Sequence, residues 1–574
     1  MEGERVDPVG TEPGAEAPKA RAFGRFDQLS AVVARTRTLG ARWSTKPAVA
    51  IRLPALLLFL ITGWYAFRFS QLVIARHEQF GSFDYDLGIY DQGIWLLGKG
   101  RQFVTVRGLP FLGHHWNPAV GIFVPFYRLG AGPNLLNVAQ ACAVASGAVP
   151  TYFAARRLLG NSWFALMLAV AYLGHPSSGW LIQELFHPET MAIPFVLAAW
   201  AFAEHKRWRW YAGAVVVALL WKEDIALAVA MLGLVIVVRK NRRYGLITFV
   251  ASLAYFVFAT KLMIPQLLGR SAFYEDLFGP LGKTPTELAR NAIVNPDLYF
   301  KVLREHNAEN YADQVLRPFG YVGLLSPTSL LIGIPQFFVN LLNTLSFIWD
   351  PKYHYVAMPL VSTTVAMVRG IAGRTRVASR WGLVLLVGLF TFGVRNTGIG
   401  PWSEKANDGY WPNGEQSTTP TYRRALAFVP RDPSVVTSSP YFLTPHLTHR
   451  FEAYTFPNPW RASYWAVNGE NPRSGVRVDY VIMNEAVLGP ADRATYDEVV
   501  VRSGVFAEVH REGSVIVWKR IAPGLTRKPT TTVVMPLPVL APAIITTSEV
   551  PAPNANGGTT ATSPTPGPTS PATP

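Results

Sequence analysis

Between Leu53 and Val394 the chain alternates apolar runs with short polar breaks, and beyond Pro401 that pattern stops. A bilayer core about 30 Å thick takes about 20 helical residues at 1.5 Å each. The apolar runs Leu53–Ile74, Asn134–Tyr152, Trp163–Gly174, Ala192–Ala203, Leu246–Leu268, Tyr355–Val368 and Trp381–Val394 therefore predict membrane spans. Several are short and must take residues from their flanks. Trp210–Val238 differs, because two apolar halves surround Lys222, Glu223 and Asp224. One continuous helix would place these charges near mid-membrane, at about 2.5–3.5 kcal/mol each. The pattern predicts a hairpin instead, with the charged turn lining a wet cavity. Ser326-Pro327 predicts a second break, between two half-helices, since proline removes a backbone donor and restricts the residue before it. Counting both hairpins gives about eleven crossings, within a range of about 10–12.

The composition agrees with that class. Charged residues make up 16% of the chain, against about 25% in soluble proteins. The net charge of +16 does not indicate nucleic acid, because Lys and Arg gather in the breaks and in the N-terminal arm. That placement is what the positive-inside rule produces. The arm carries Arg21, Arg25, Arg35, Arg37, Arg42, Lys46 and Arg52, and the break Arg369–Arg380 carries four arginines and no acid. Both are expected in the cytoplasm. With one span between that break and Pro401, the remainder is expected outside a multi-pass protein of the plasma membrane. The single cysteine, Cys142, excludes an internal disulfide. About fifty polar, Pro- and Arg-containing residues before the first apolar run do not read as a signal peptide.

The expected organisation is a basic arm (1–50), a membrane domain (51–400) with a first outside loop (75–118), an extracytoplasmic domain (401–521) and a tail (522–574). In the third part, strands are predicted at Val435–Ser438, Phe451–Phe456, Tyr480–Asn484 and in a hairpin over Phe506–Lys519 turning at Glu512-Gly513. Helices are predicted at Tyr422–Phe428 and Ala494–Ser503, making a small α/β domain. The tail, rich in Pro, Thr, Ala and Gly, has too little apolar surface to offset its ordering entropy and is expected to be disordered. The fold class is thus a polytopic α-helical membrane protein with a small α/β domain outside.

Candidate chemistry concentrates in the first loop, FDYDLGIYDQGIWLLGKG, which holds Asp84, Asp86 and Asp91. Its apolar residues recur at helical spacing after Asp86, which predicts an amphipathic helix lying on the membrane. In the plainer alternative an Asp simply caps that helix. Three further polar stretches stand beside spans: Gly113 to Pro118 with His114 and His115, Gln183 to Glu189 with Glu184 and His187, and Asp350 to Tyr355 with Lys352 and His354. Each alone reads as an interfacial belt. With Lys222, Glu223 and Asp224 they all fall on one side of the membrane, and that convergence argues for an active cavity. His187, Glu189 and His354 do not read as a metal-ligand set, because His-x-Glu is a weak spacing without a third ligand in register, so the metal is left unknown and a divalent ion open. Phosphate-binding Gly-rich loops and a Gly-x-Ser-x-Gly elbow are not apparent.

FDYDLGIYDQGIW, HHWNPAVGIFVPFYRLG, QELFHPETMAIP, LLWKEDIALA, YHYVAMPL, TPHLTHRFEAYTFP and VDYVIMNE, in that order, resemble the membrane-protein family called domain of unknown function 2079. The resemblance runs from about Leu53 to Arg520. The layout is similar to the GT-C glycosyltransferases, which take a sugar from a polyprenyl-phosphate carrier. It implies a transfer to a glycan, lipid or protein acceptor outside the membrane. It also implies an acidic base soon after the first span, a position that Asp86 or Asp84 matches. Where those enzymes carry Asp-x-Asp in the second outside loop, this chain has Glu184 and Glu189. On this reading Lys222, with His354 or Lys352, meets the leaving phosphate, and Asp91, His115, His187, Glu189, Glu223 and Asp224 contact substrate. Membrane lipids and the lipid-linked donor are the expected partners. Two other classes stay open: a transporter or flippase, since broken helices and intramembrane charges also mark substrate paths, and a non-catalytic membrane scaffold.

Overall fold

The computed structural model describes residues 47–269, 277–394, 411, 416–461 and 477–523. The predicted tail beyond residue 523, and nearly all of the basic arm, lie outside the described residues. The chain divides into two units, residues 1–56 and 57–574, and the described part of the first is helical from Pro47. The second unit carries every candidate residue named above.

Among the described residues, five helices are long and apolar enough to cross a membrane: Leu53–Glu78, Pro133–Leu159, Arg242–Leu268, His354–Ala372 and Val377–Val394. Ser162–Gly174 and Pro176–Gln183, bent by 45° at His175, make a sixth if counted as one span. The elements that position the site are α1 (Pro47–Glu78), α2 (Ile89–Gly98), α3 (Pro133–Ser146), α4 (Ala148–Leu159), α5 (Ser162–Gly174), α6 (Pro176–Gln183), α7 (Pro188–Glu204), α8 (Trp208–Leu219), α9 (Ile225–Arg239) and α10 (Arg242–Phe258). Local chemistry sets their ends. Asn161 and Asn241 accept from the first free backbone N–H groups of α5 and α10, as N-caps do. Pro133, Pro176 and Pro188 open α3, α6 and α7, where a missing N–H costs nothing.

The break between the two apolar halves forms as their pattern predicts, but Lys222 and Glu223 in its turn are buried rather than lining an open cavity. α8 ends at Leu219 and α9 begins at Ile225, with Lys222, Glu223 and Asp224 in the turn between. At 12 and 15 residues the arms are about 18 and 22 Å long, too short to cross alone. Helix α9 then packs closely on α10. A Cβ on Gly233 would stand 2.7 Å from the Phe249 amide nitrogen, so only glycine permits that approach.

Two expectations change. Around Ser326-Pro327 the chain makes short turns and then a nine-residue helix, α11 (Ile334–Leu342), rather than two half-helices. Gly320, Gly323, Pro327 and Gly333 punctuate this segment too often for longer helices. Second, α2 does not lie at a surface: Ile89 through Leu96 are all buried. Its polar face is covered by the C-terminal domain, and Gly93 sits against the Phe111 ring with no room for a side chain. The last membrane helices are α12 (Ala357–Ala372) and α13 (Val377–Val394).

The C-terminal domain is built on a five-stranded mixed sheet, ordered β4-β3-β5-β7-β6. A separate two-stranded ribbon, β1 (Phe103–Val104) with β2 (Leu109–Pro110), belongs to the loop after α1. The five strands are β3 (Thr437–Ser439), β4 (Ala453–Thr455), β5 (Tyr480–Asn484), β6 (Phe506–Glu512) and β7 (Val515–Arg520). β3 runs parallel to β4 and β5, while β7 pairs antiparallel with β5 and β6. Alternation along β5 sends Val481 and Met483 to one core with Tyr496 and Trp518, and Tyr480 and Ile482 to the other. α14 (Thr419–Ala427) covers the second core, and α15 (Pro490–Tyr496) contributes Tyr496 to the first. Phe80, from the loop after α1, packs into the second core as well.

Candidate functional site

The site is assembled around the break between α6 and α7. Gln140 on α3 holds that break: its amide donates to the carbonyls of Leu181 and Leu185, and its Oε1 accepts from the His187 N–H at 2.6 Å and the Thr190 hydroxyl at 2.7 Å. Leu185 is buried with φ +81°, a left-handed conformation that costs on the order of 1–3 kcal/mol for a residue with a side chain. The outcome is that Glu184, His187 and Glu189 all project to the same place.

There they meet residues from three other segments. His187 Nε2 lies 3.2 Å from Asp86 Oδ1, which puts the predicted base beside the second polar stretch. The His354 ring stacks on His187 with centroids 3.6 Å apart. Its Nδ1 faces Glu184 Oε1 at 3.1 Å and its Nε2 faces Glu189 Oε1 at 3.3 Å. Lys222, from the α8–α9 turn, donates to Glu189 at 2.8 Å and stands 3.3 Å from Asp224. Glu223 meets His115 Nδ1 at 2.8 Å and accepts from the Trp116 N–H at 3.0 Å. Asp86 and Asp224 are the partly open members, with 25% and 27% of their side chains exposed, whereas the side chains of Glu189 and Lys222 are each 5% exposed.

Asp86, His187, Glu189, Lys222, Asp224 and His354 thus form one linked cluster, and His115 pairs with Glu223 alongside it. The backbone of Asp84 lies in the same turn, Asp84–Gly88, while its side chain is outside the described residues. Lys352 stands over the Trp180 ring and 3.9 Å from Asp350, about one third exposed. Asp91 goes elsewhere. It is fully buried and receives hydrogen bonds from Tyr127 at 2.6 Å and from Thr448, with His449 Nε2 at 3.2 Å.

Sequence reasoning did not assign Glu184, yet its carboxylate is central. Glu184, His187 and His354 each offer one ligand atom, all within 4.8 Å of one another. Glu189, the acid first weighed with His187, is committed to Lys222 instead. The three-residue spacing of Glu184 and His187 across a helix break was the available signal. Gln140 carried none, because its role depends on a helix 40 residues away in sequence folding against it.

Two cavities stand among the described residues. A small one is bordered by Glu189, Asp224, Gln336, His354 and Tyr355. A larger cavity of about 390 Å³ lies apart, between His77, Phe80, Asn134, Arg423 and His446.

No curated protein matches the chain. Among solved structures, ArnT from Cupriavidus metallidurans bound to undecaprenyl phosphate is similar at 13% identity and TM-score 0.45, covering 82% of this chain and 98% of that one. ArnT from the same organism in the apo state gives 13% identity and TM-score 0.47, covering 81% and 98%. The family profile described as predicted membrane protein (DUF2079) matches residues 76–499. With nearly three quarters of its length so matched, the chain belongs to the DUF2079 family of membrane proteins.

Proposed function

We propose that this protein is a membrane glycosyltransferase that moves a sugar from a polyprenyl-phosphate carrier to a glycan, lipid or protein acceptor on the extracytoplasmic side. The observation that carries the reading is the placement of Asp86. It is partly open, lies soon after α1, and is held by His187 at the edge of a buried cluster of acids, imidazoles and one ammonium group. The GT-C resemblance of the motif order supports the same assignment of a base.

In this reaction Asp86 takes the proton of an acceptor hydroxyl as its oxygen bonds the anomeric carbon. The bond from that carbon to the phosphate oxygen breaks, and polyprenyl phosphate departs. His187 aligns the Asp86 carboxylate, and Asp84 stands in the same turn. Lys352, more exposed than Lys222, is the better placed cation for a phosphate arriving from the membrane, while Lys222 neutralises Glu189 from behind. The transporter reading keeps one observation in its favour, the break between α8 and α9 with charges at its turn.

Loss of a positioned general base costs about 10²–10⁴-fold in rate. Asp86→Asn keeps the size and one hydrogen bond, so the variant should fold and lose that factor. The assay follows release of polyprenyl phosphate from a labelled polyprenyl-phosphate sugar in membranes holding matched amounts of protein. Equal release by wild type and Asp86→Asn would contradict the assignment. Carrier flipping without release would establish the transporter reading.

A further inference from the structure

We infer that Glu184, His187 and His354 form a binding site for one divalent transition-metal ion of the zinc class. The inference adds a bound ion to the proposed transferase and rests on that reading only for the ion's use, not for its presence.

Three observations carry it. First, one ligand atom from each residue lies within 4.8 Å of the other two, and both imidazoles are buried. Two histidines and one glutamate are a donor set that zinc takes at catalytic sites. Imidazole donors favour zinc, iron, nickel or copper over magnesium and calcium, which take oxygen.

Second, Glu184 is a carboxylate out of water with half its hydrogen-bonding capacity unmet. Its Oε1 faces His354, but its Oε2 is buried without a partner among the described residues. An uncompensated buried carboxylate is costly. Glu189 also has its Oε2 buried without a hydrogen bond among the described residues, but its Oε1 has a direct ammonium partner in Lys222 at 2.8 Å. The acid left for an ion is therefore Glu184.

Third, the charge of the cluster is one-sided. Asp86, Glu184, Glu189, Glu223 and Asp224 outnumber the cations beside them among the described contacts, the Lys222 ammonium and the Arg76 guanidinium near Glu184. A phosphate-bearing substrate would be repelled from that place. A divalent ion offsets two of the negative charges and gives an anionic phosphate something to meet. Gln140 fixes the His187 backbone, and the His187 Nδ1 faces the Leu185 carbonyl at 3.3 Å, so an ion would be taken on Nε2 in place of the Asp86 contact. Such partners orient metal-binding imidazoles.

The test uses the full chain in detergent, stripped with EDTA and then given zinc chloride, manganese chloride or magnesium chloride. Metal content is measured after desalting, and melting temperature is followed against added metal. The expected result is one zinc per chain and a rise of several degrees in melting temperature with zinc, with little change for magnesium. Glu184→Gln and His187→Gln should each lose the bound zinc, while His449→Ala, outside the cluster, should keep it. A folded wild type that retains less than one tenth of an equivalent of zinc, or a Glu184→Gln variant that retains all of it, would overturn the site. Zinc bound as expected without sugar transfer would keep the site and remove the transferase reading. Transfer undiminished in EDTA by a protein that binds no zinc would do the reverse.

Discussion

Lys222 shows how far a single residue can be read from its neighbours in sequence. An ammonium within an apolar run had to be paired or functional, and the structure pairs it with Glu189 and Asp224. Its partner across the site, Glu189, lies 33 residues away, a distance over which periodicity says nothing. Asp86 was legible by its position after the first span. Glu184 was not, because its value comes from His354, brought in from the start of a helix 170 residues on. The pairing of Lys222 makes a quantitative prediction. Removing one partner of a buried ion pair leaves an uncompensated charge and costs about 3–5 kcal/mol, whereas replacing both with apolar groups costs much less. Lys222→Met should therefore lower the detergent melting temperature markedly, and Lys222→Met with Glu189→Leu should recover much of the loss. Equal damage from the single and double variants would mean that the pair is not what holds this turn.

The element that most departs from its sequence pattern is α2. Its apolar spacing fitted a helix on a membrane surface, but its polar positions serve the C-terminal domain. Gln92 bonds to Thr105 at 2.9 Å, and Thr105 in turn donates to the Ala453 carbonyl at 2.8 Å and accepts from its N–H at 2.9 Å. Asp91 takes Thr448 and His449 of the same domain. Strand β5 and the β6–β7 hairpin were legible because alternation is local; the docking of the domain on the turn that holds Asp86 was not. Burial lowers the His449 imidazole, but the Asp91 carboxylate outweighs this and holds it above its ordinary value of 6.5. A group raised in the folded state stabilises fully below its unfolded pKa and loses that contribution as pH rises through the folded value. Wild type should thus melt higher than His449→Gln below the ordinary imidazole value of 6.5, and the gap should close as pH rises beyond it through the raised folded value. A gap that is constant or widens with pH would show that the charge pair does not hold the domain.

At the scale of the whole molecule, the membrane class was legible from the alternation of apolar runs, and five helices long and apolar enough to span stand, among the described residues, where that alternation put them. The broken pieces between them were only partly legible. The α8–α9 break showed itself by charge, while the bend at His175 and the turns around Ser326 depend on packing and on clustered glycine and proline. Those breaks gather side chains from the loop after α1, the α6–α7 break, the α8–α9 turn and the start of the Tyr355 span at one cluster. We propose that this cluster serves a polyprenyl-phosphate carrier. Native mass spectrometry of the purified full chain tests that claim most directly. Added polyprenyl phosphate should give a 1:1 adduct that survives activation energies which strip ordinary phospholipid, and polyprenol without the phosphate should not. Indistinguishable retention of polyprenyl phosphate, polyprenol and bulk phospholipid would contradict it.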